Sequence, residues 1–465
     1  MLQVSSLKSI ERFMRIDCLV AEIGSTTTVV NAFNLHSGPV EFLGRGMHQT
    51  TVDTDVNIGL QNAIDELKKQ LNVETLEYDE MFASSSAAGG LKITVHGLVY
   101  EMTAKAAKEA ALNAGANIHL ITANRLEEEH ILEIRRIKPN IIIIAGGTNF
   151  GEKEVAFQNL LDVIPLGIPI IYTGNIANHE RIKKLNCPYV RIVDNVYPRV
   201  DDFNIIPLRE AIYQTFEENI IHAKGMQNIF KMVNQKIIPT PGAVMESTLL
   251  LDEMMNQVMT IDVGGATTDV HSVCDPKPEY QKYSEGEPRF KRTVEGDLGI
   301  YVNRSLVRHS FKKGELERSL HLSSIEIEDL IQNEPFIPIT EQGKQLMDMM
   351  TRQCVHLALD RHIGDLRRVF TTNGMKVIPD GKDASLVKSI FLTGGALIYA
   401  SNPKKMIQDY LMKQQTKLIP DQNAKIYLDH DYIFASIGVL SLKYPNQAKA
   451  LLKKTIRDEG EVHVS

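Results

Sequence analysis

The feature that most constrains the fold of this chain is a short pattern that occurs once in each half of its 465 residues. The first copy is V-A-E-I-G-S-T-T-T-V-V at residues 20–30, and the second is I-D-V-G-G-A-T-T-D-V at residues 261–270. Apolar runs joined by a glycine turn predict β-hairpins. Either copy alone could be an ordinary hairpin, but a plain hairpin needs neither the acid before the turn nor the threonine pair after it.

The residue types of the two turns suit a polyphosphate and its metal ion. Glycine lets the backbone approach a ligand, N–H groups and threonine hydroxyls bind phosphate oxygens, and aspartate holds the water shell of Mg²⁺. Two such hairpins facing each other would clamp one nucleotide. The candidate nucleotide-binding residues are Gly24, Ser25, Thr26, Thr27, Asp262, Gly264, Gly265, Thr267, Thr268 and Asp269. Asp262 and Asp269 are also the candidate metal-binding residues.

A third glycine motif, F-L-T-G-G-A-L at residues 391–397, is typical of a strand that runs into a turn and then a helix. Adenosine or its phosphates can approach the backbone at such a turn, so Gly394 and Gly395 are further candidates. The sequence has no G-x-x-x-x-G-K-[ST], which excludes a P-loop. L-D-H-D at 428–431 could suggest a metal, but acids before a helix are more typical of capping.

Composition narrows the classes of partner. The formal net charge is −7, aromatic residues make up 6% and tryptophan is absent, which gives no support to a nucleic-acid or anionic-membrane partner. No run of about 18 apolar residues occurs, so we expect no membrane span. The four cysteines are scattered without a C-x-x-C pair, which favours a reducing cytoplasm.

Alternating apolar runs and helical periodicity predict an α/β chain. The isoleucine run at 140–145 indicates a parallel strand buried on both faces. A Pro/Gly turn is expected at 239–242. Helical spacing predicts helices at 56–71, 102–113, 125–137, 208–223, 245–255, 305–319, 343–357 and 432–442.

The order of the three motifs resembles that of the actin, Hsp70 and sugar-kinase ATPase superfamily, where they are the phosphate-1, phosphate-2 and adenosine motifs. A-S-I-G-V-L at 435–440 resembles the second connecting helix. V-E-G-D-L-G-I-Y-V-N-R-S-L-V at 294–307 resembles the stretch after phosphate-2, which implies that Gly296 and Asp297 lie near the phosphates.

This resemblance implies an actin/Hsp70-like (ribonuclease H-like) α/β fold, with nucleotide between two lobes and an inserted Rossmann-like α/β segment. The expected division is a polar leader at 1–16, the first part of lobe I at 17–81, the insert at 82–172, the rest of lobe I at 173–240 and lobe II at 241–465. The insert could be the part that binds a partner.

A more specific resemblance extends from about residue 17 to about residue 450. P-T-P-G-A-V, then D-V-G-G-A-T-T-D-V-H-S-V at 262–273 and R-T-V-E-G-D-L-G, resemble the glutamate mutase-associated MutL family, which is unrelated to the mismatch-repair protein of that name. A-G-G-T-N-F-G-E-K-E at 145–154 and R-E-A-I-Y-Q-T-F at 209–216 belong to the same resemblance. It implies an ATPase, using ATP and Mg²⁺, that reactivates an adenosylcobalamin-dependent mutase by releasing damaged cobalamin.

Two positions depart from the expected pattern. Glu22 stands where the superfamily usually has aspartate, and Asn149–Phe150 stand where Asp–Gly is expected, so the acidic side chain expected at that place in the loop is missing. If the fold is as expected, Glu22 and Asp297 are the candidates to orient the attacking water, a role that suits a carboxylate near the γ-phosphate.

Other activities of the same superfold remain open at this stage. The main alternative is an acid or sugar kinase, which would also need a base beside a substrate hydroxyl, and no motif identifies such a pocket. An activator of 2-hydroxyacyl-CoA dehydratases would need cysteines placed to share an iron–sulfur cluster, and none are paired here. An actin-like filament would need self-contact surfaces that the sequence does not reveal.

Overall fold

The computed structural model describes residues 12–51, 55–86, 91–200, 202–220, 226–234, 236–283, 288–371 and 374–457. The strands within these ranges are β1 (Phe13–Ile23), β2 (Thr27–Asn34), β3 (Glu41–Gln49), β4 (Thr75–Ser85), β5 (Leu91–Gly97), β6 (Ala116–Ala123), β7 (Ile141–Ile144), β8 (Ile170–Tyr172), β9 (Val190–Ile192), β10 (Ile238–Pro239), β11 (Val258–Val263), β12 (Thr268–Val273), β13 (Phe290–Glu295), β14 (Asp365–Thr371), β15 (Gly374–Asp380), β16 (Ser389–Thr393), β17 (Lys425–Asp429) and β18 (Ile456–Arg457).

The α-helices alternate with these strands. They are α1 (Val56–Leu71), α2 (Lys105–Asn113), α3 (Glu128–Ile137), α4 (Glu154–Val163), α5 (His179–Lys184), α6 (Ile205–Ile220), α7 (Met226–Met232), α8 (Thr240–Met255), α9 (Arg304–His309), α10 (Glu315–Leu320), α11 (Ser324–Asn333), α12 (Glu341–His362), α13 (Gly395–Ile398), α14 (Pro403–Lys413), α15 (Phe434–Ser441) and α16 (Pro445–Thr455).

Two sheets share one topology. The first has the order β10-β4-β1-β2-β3, in which β2 is antiparallel to β1 and β3, while β4 is parallel to both β1 and β10. The second has the order β13-β12-β11-β16-β17-β18 and repeats this pattern, with β12 antiparallel to its neighbours and β16 parallel to β11 and β17. Each sheet starts from one of the two predicted hairpins. The repeat confirms the predicted actin/Hsp70-like α/β fold with two lobes.

A third, wholly parallel sheet has the order β6-β5-β7-β8-β9 and lies in the chain between β4 and β10. Its strand β7 consists of four fully buried isoleucines, which confirms the predicted buried parallel strand. We call residues 91–192 the insert. The predicted limits were 82–172, but residues 82–85 pair within the first sheet and β9 pairs within the third. The predicted division into lobes stays a proposal.

Two helices connect the lobes. Helix α8 carries the chain from β10 of the first sheet to β11 of the second. Helix α15, which follows β17 in the chain, packs across α8. A Cβ built on Gly438 of α15 would lie 1.7 Å from the carbonyl oxygen of Ala243 in α8, so the two backbones are in direct contact. The Ser247 hydroxyl also donates to the carbonyl oxygen of Phe434, at 2.5 Å.

Several predicted elements were wrong in detail. The expected turn at 239–242 is the end of β10 and the first turn of α8, because Pro241 near a helix start removes only an N–H that would lack a helical partner. The expected helix at 305–319 is divided into α9 and α10, and Gly314 between them has φ +73°. The expected leader is wrong for residues 13–16, which pair in β1, while residues 1–11 lie outside the described residues.

Candidate functional site

The first glycine turn joins β1 to β2. The Gly24 N–H donates to the Thr27 carbonyl at 3.0 Å, and a Cβ on Gly24 would lie 2.5 Å from that oxygen, so the turn requires glycine. The Ser25 hydroxyl donates to the carbonyl of Ser86 at 2.8 Å, which ties the turn to the end of β4. Within the described residues, the N–H groups of Ser25 and Thr26 have no acceptor, so they are available to an anion.

The second turn joins β11 to β12 in the same way. The Gly264 N–H donates to the Thr267 carbonyl at 2.9 Å. The Gly265 carbonyl accepts from the N–H groups of Tyr301 and Val302, at 2.9 and 2.8 Å. No described residue accepts from the N–H groups of Gly265 and Ala266. Both turns therefore combine a fixed backbone with unpaired donors.

The two turns face each other across one cleft. A Cβ on Gly265 would lie 3.0 Å from the Thr26 hydroxyl oxygen, which brings the turns into near contact. Both line a cavity of about 630 Å³, a size that suits a small-molecule ligand. The predicted site residues that line it are Glu22, Gly24, Ser25, Thr26, Thr27, Asp262, Gly264, Gly265, Thr267, Asp269, Gly296 and Gly395.

Three predicted residues take other positions. The Thr268 hydroxyl is buried and donates to the Leu298 carbonyl at 2.6 Å. Gly394 has φ +88° and packs against Asp262, since its Cβ would lie 2.4 Å from the Asp262 Oδ1 atom. Asp297 is not among the cavity residues and forms a two-bond ion pair with Arg361, at 2.7 and 2.8 Å. The pair lowers the pKa of Asp297.

Asp269 has a counter-charge inside the protein. Its carboxylate accepts from Arg292, at 2.6 Å, and from the Thr267 hydroxyl, at 3.1 Å, and both members of the ion pair are buried. Arg292 also donates to the Leu112 carbonyl at 2.7 Å, near the end of α2 in the insert. Asp269 thus joins the second turn to the insert through one arginine.

Glu22 and Asp262 have no such partner. Neither carboxylate forms a hydrogen bond or ion pair with another described residue. Burial, then the charges of Asp269 and Glu22, raise the pKa of Asp262 well above its usual value. Burial and the charge of Asp429 raise the pKa of Glu22 to about 7, against an opposing effect of Arg45. Among the described residues, the carboxylates of Glu22 and Asp262 therefore lack paired cations.

This charge deficit fits a hydrated Mg²⁺ ion. In the part of the chain that the structure describes, no group of three or more His, Cys, Asp or Glu side chains could hold a metal alone. Mg²⁺ commonly keeps several waters and takes one or two carboxylates together with substrate phosphates. Asp262 is the carboxylate best placed for that role, because Asp269 is already paired with Arg292.

The sequence reasoning missed several residues of the site. Tyr432 lines the cavity with φ +49°, and Arg45 lies over its ring at 5.4 Å. Burial, then the charges of Glu22 and Asp262, raise the pKa of Tyr432 well above the usual value. Asp429, expected to cap a helix, does accept from the N–H groups of Ile433 and Phe434, at 3.1 and 2.9 Å. Nothing in the local sequence signals Arg45 or Tyr432.

The loop with the unexpected Asn149–Phe150 pair lies away from the cavity lining. The Asn149 side-chain oxygen accepts from Asn195 at 2.9 Å, and the Phe150 side chain is 92% exposed. At these two positions the loop therefore contributes an internal hydrogen bond and an exposed ring, with no acidic group.

Two lobes of one topology, with paired glycine turns facing across a cleft, define the actin/Hsp70-like class of ATPase folds. A family model described as MutL protein matches residues 18–456. Protein MutL of Clostridium tetanomorphum is 32% identical over 456 residues, which cover 94% of this chain and 98% of that protein. The chain belongs to the MutL family, of the glutamate mutase-associated type.

Solved structures that align with the chain have low sequence identity. A nucleotide-free acetone carboxylase aligns with a TM-score of 0.40 and 12% identity, over 92% of this chain and 70% of its own. A nucleotide-free diol dehydratase-reactivating factor aligns with a TM-score of 0.38 and 12% identity, over 92% of this chain and 100% of its own.

Among the described residues, no helix combines the length and apolar character needed to cross a membrane.

Proposed function

We propose that this protein is an ATP-dependent reactivating chaperone for an adenosylcobalamin-dependent mutase, such as glutamate mutase or a related aminomutase, and that it releases damaged cobalamin. Nucleotide binding is supported by the two glycine turns, which face each other beside two carboxylates without a counter-charge. Membership of the MutL family supports the choice of a mutase as partner. We place the protein in the cytoplasm, where its four unpaired cysteines would stay reduced.

The phosphates of ATP would bind between the turns. The N–H groups of Ser25, Thr26, Gly265 and Ala266 have no acceptor among the described residues and can donate to phosphate oxygens. Asp262 would hold water molecules of a bound Mg²⁺, which supplies charge neutralisation for the phosphates when present. Gly395 at the start of α13 would lie beside the nucleoside.

Glu22 is our candidate to orient and deprotonate the attacking water. Its pKa of about 7 matches a group that accepts a proton near neutral pH and releases it again. Asp297, the second candidate from the sequence, already forms an ion pair with Arg361 outside the cavity lining. We therefore assign the catalytic role to Glu22 alone.

The chaperone role needs the cleft to change shape with its nucleotide. To convert a mutase from about 1% open to about 99% open requires about 5.5 kcal/mol of differential binding. Hydrolysis of ATP can provide this if the two nucleotide states differ in affinity for the mutase. Helices α8 and α15, in backbone contact at Gly438, would carry the motion between the lobes.

The test measures ATP turnover and mutase recovery together. Purified protein is mixed with an adenosylcobalamin mutase that holds inactivated cofactor, and restored mutase activity is followed with and without ATP and Mg²⁺. We expect recovery only with both. Asp262→Ala should lose recovery and weaken nucleotide binding by about 100-fold, whereas Glu22→Gln should keep binding and slow hydrolysis by about 100-fold.

Glu66→Gln on the exposed face of α1 is the matched control and should behave like the natural protein. Turnover that transfers phosphate to an added small acid or sugar, without mutase recovery, would replace the chaperone by a kinase. Failure of the purified protein to bind ATP would refute the nucleotide site.

A further inference from the structure

The inserted sheet forms part of the wall of the nucleotide cleft. Lys92 of β5 and Asn117 and His119 of β6 line the same cavity as the glycine turns. Lys92 and Asn117 are directly paired in the parallel ladder. His119 is the extra residue of a β-bulge between Ile118 and Leu120, and its side chain lines the cavity together with that of Asn117. Three polar side chains of the insert thus share one position at the cleft.

A continuous set of contacts brings this position to the phosphate turns. Ser86 accepts from Ser25 of the first turn, and its neighbour Ser85 pairs with Pro239 of β10. A Cβ on Gly115, just before β6, would lie 2.8 Å from the Cβ of Pro239. Gly115 has φ +86°, so a close approach and a left-handed backbone coincide there. The start of β6 is therefore fixed against the end of the first sheet.

Among the described residues of the cavity lining, Lys92 is also the one cation without an ion pair. Of the other described lysines and arginines that line it, Arg292 is bound to Asp269 at 2.6 Å, and Lys344 is bound to Glu341 at 2.6 Å. Lys92 forms no ion pair or side-chain hydrogen bond with a described residue. A half-buried ammonium without an anion, beside turns that offer only N–H and hydroxyl donors, is suited to a phosphate.

His119 provides a neutral donor beside this cation. Partial burial and the nearby charge of Lys92 lower the pKa of His119, so the imidazole is uncharged at neutral pH. A lysine, an amide and a neutral imidazole together can bind phosphate oxygens by one charge and several hydrogen bonds.

We propose that Lys92, with Asn117 and His119, forms a subsite on the insert for the terminal phosphate of a nucleoside triphosphate, so that the insert distinguishes the triphosphate from the diphosphate. This inference rests on the proposed nucleotide site. It adds that the insert is the part of the molecule that responds to the terminal phosphate. Arg292 holds the far end of α2 to lobe II. Loss of the terminal phosphate would release the insert at one end while the Arg292 contact remains.

The test compares ATP and ADP affinities by calorimetry, for the full chain and for Lys92→Met, Lys92→Arg and Lys184→Met. Lys184 is an exposed lysine on α5 of the insert, outside the cavity, and serves as the control. We expect Lys92→Met to weaken ATP binding about 10-fold and to change ADP binding less than about 2-fold. Lys92→Arg should keep most of the ATP preference, and Lys184→Met should match the natural protein.

Amide hydrogen exchange gives a second readout that does not depend on affinity. In the natural protein a non-hydrolysable ATP analogue should protect β5 and β6 more than ADP does, and Lys92→Met should abolish the difference. Equal effects of Lys92→Met on ATP and ADP, or no effect on either, would overturn the subsite while leaving the nucleotide site intact. Failure of the natural protein to bind either nucleotide would overturn both.

Discussion

Glu22 is an acid placed where its charge is costly. Burial and then the charge of Asp429 raise the pKa of Glu22 to about 7, although the charge of Arg45 acts in the opposite direction. The buried Asp429, whose own pKa rises to about 6, is nonetheless held by two N–H groups and two threonine hydroxyls. One acid is therefore fixed by hydrogen bonds, and the other is left available for chemistry.

The raised pKa of Glu22 predicts a pH-dependent stability without nucleotide or metal. The folded carboxyl takes up its proton at about pH 7 and the unfolded one near 4.5, so its stabilising effect is complete below 4.5 and is lost as pH rises through about 7. This change in protonation contributes up to about 3 kcal/mol to the free energy of unfolding. In EDTA, the free energy of unfolding of the natural protein should fall more steeply than that of Glu22→Gln between about pH 5 and 8. Parallel pH profiles would show that Glu22 is not perturbed.

Gly394 determines where the Asp262 carboxylate can lie. In Gly394→Ala, a Cβ would lie 2.4 Å from Asp262 Oδ1 at a backbone φ of +88°. We expect a loss of about 2–4 kcal/mol in the free energy of unfolding, together with weaker Mg²⁺-dependent ATP binding. Gly167→Ala, at φ +66° with no atom near its Cβ, isolates the backbone strain and should cost about 1 kcal/mol. If Gly394→Ala and Gly167→Ala lose the same free energy of unfolding in urea denaturation, the contact with Asp262 does not contribute to the loss.

At the scale of elements, the crossing of α8 and α15 depends on the absence of a side chain. Gly438→Ala would place a Cβ 1.7 Å from the Ala243 carbonyl oxygen, so the helices must separate. We expect a loss of about 3 kcal/mol in urea denaturation. Ser441→Ala, near the end of the same helix, removes one hydrogen bond to the Gly438 carbonyl and should cost about 1 kcal/mol. If Gly438→Ala lowers the free energy of unfolding no more than Ser441→Ala does, the two helices can separate at little cost.

The elements with strong local patterns were predictable. The two hairpins and the isoleucine strand β7 have apolar runs bounded by glycine, and the turns carry their chemistry in consecutive residues. Strands β14 and β15 escaped prediction because charged residues such as Arg367, Arg368 and Lys376 interrupt their apolar alternation. Arg292 and Lys92 escaped because their importance arises from partners far away in the chain, which no local pattern records.

At the scale of the whole molecule, Arg292 is a buried link between lobe II and the insert. It is fully buried, and it is bound to Asp269 and to the Leu112 carbonyl. Arg292→Leu would leave the Asp269 charge buried without a partner, and we expect the free energy of unfolding to fall by about 3–5 kcal/mol.

The double variant Arg292→Leu/Asp269→Leu separates the two contributions. It should recover part of the loss, because the isolated charge is removed along with its partner. Arg15→Leu, which breaks an exposed pair with Asp79, is the control and should lower the free energy of unfolding only slightly. A similar small cost at Arg292 would mean that water reaches Asp269.

The way the insert joins lobe I has a consequence for how such a molecule can diversify. The chain leaves the first sheet after Ser85 and returns at Ile238, and the segment between them contains the insert followed by α6 and α7. Ser85 pairs with Pro239, which adjoins Ile238, in neighbouring parallel strands. The two attachment points are thus about 4.8 Å apart, one strand spacing. A different module that spans the same distance could replace the insert while the strand order of the first sheet is kept. If the insert binds the partner, as the sequence predicts, replacing it would change the partner and leave the proposed nucleotide site in place.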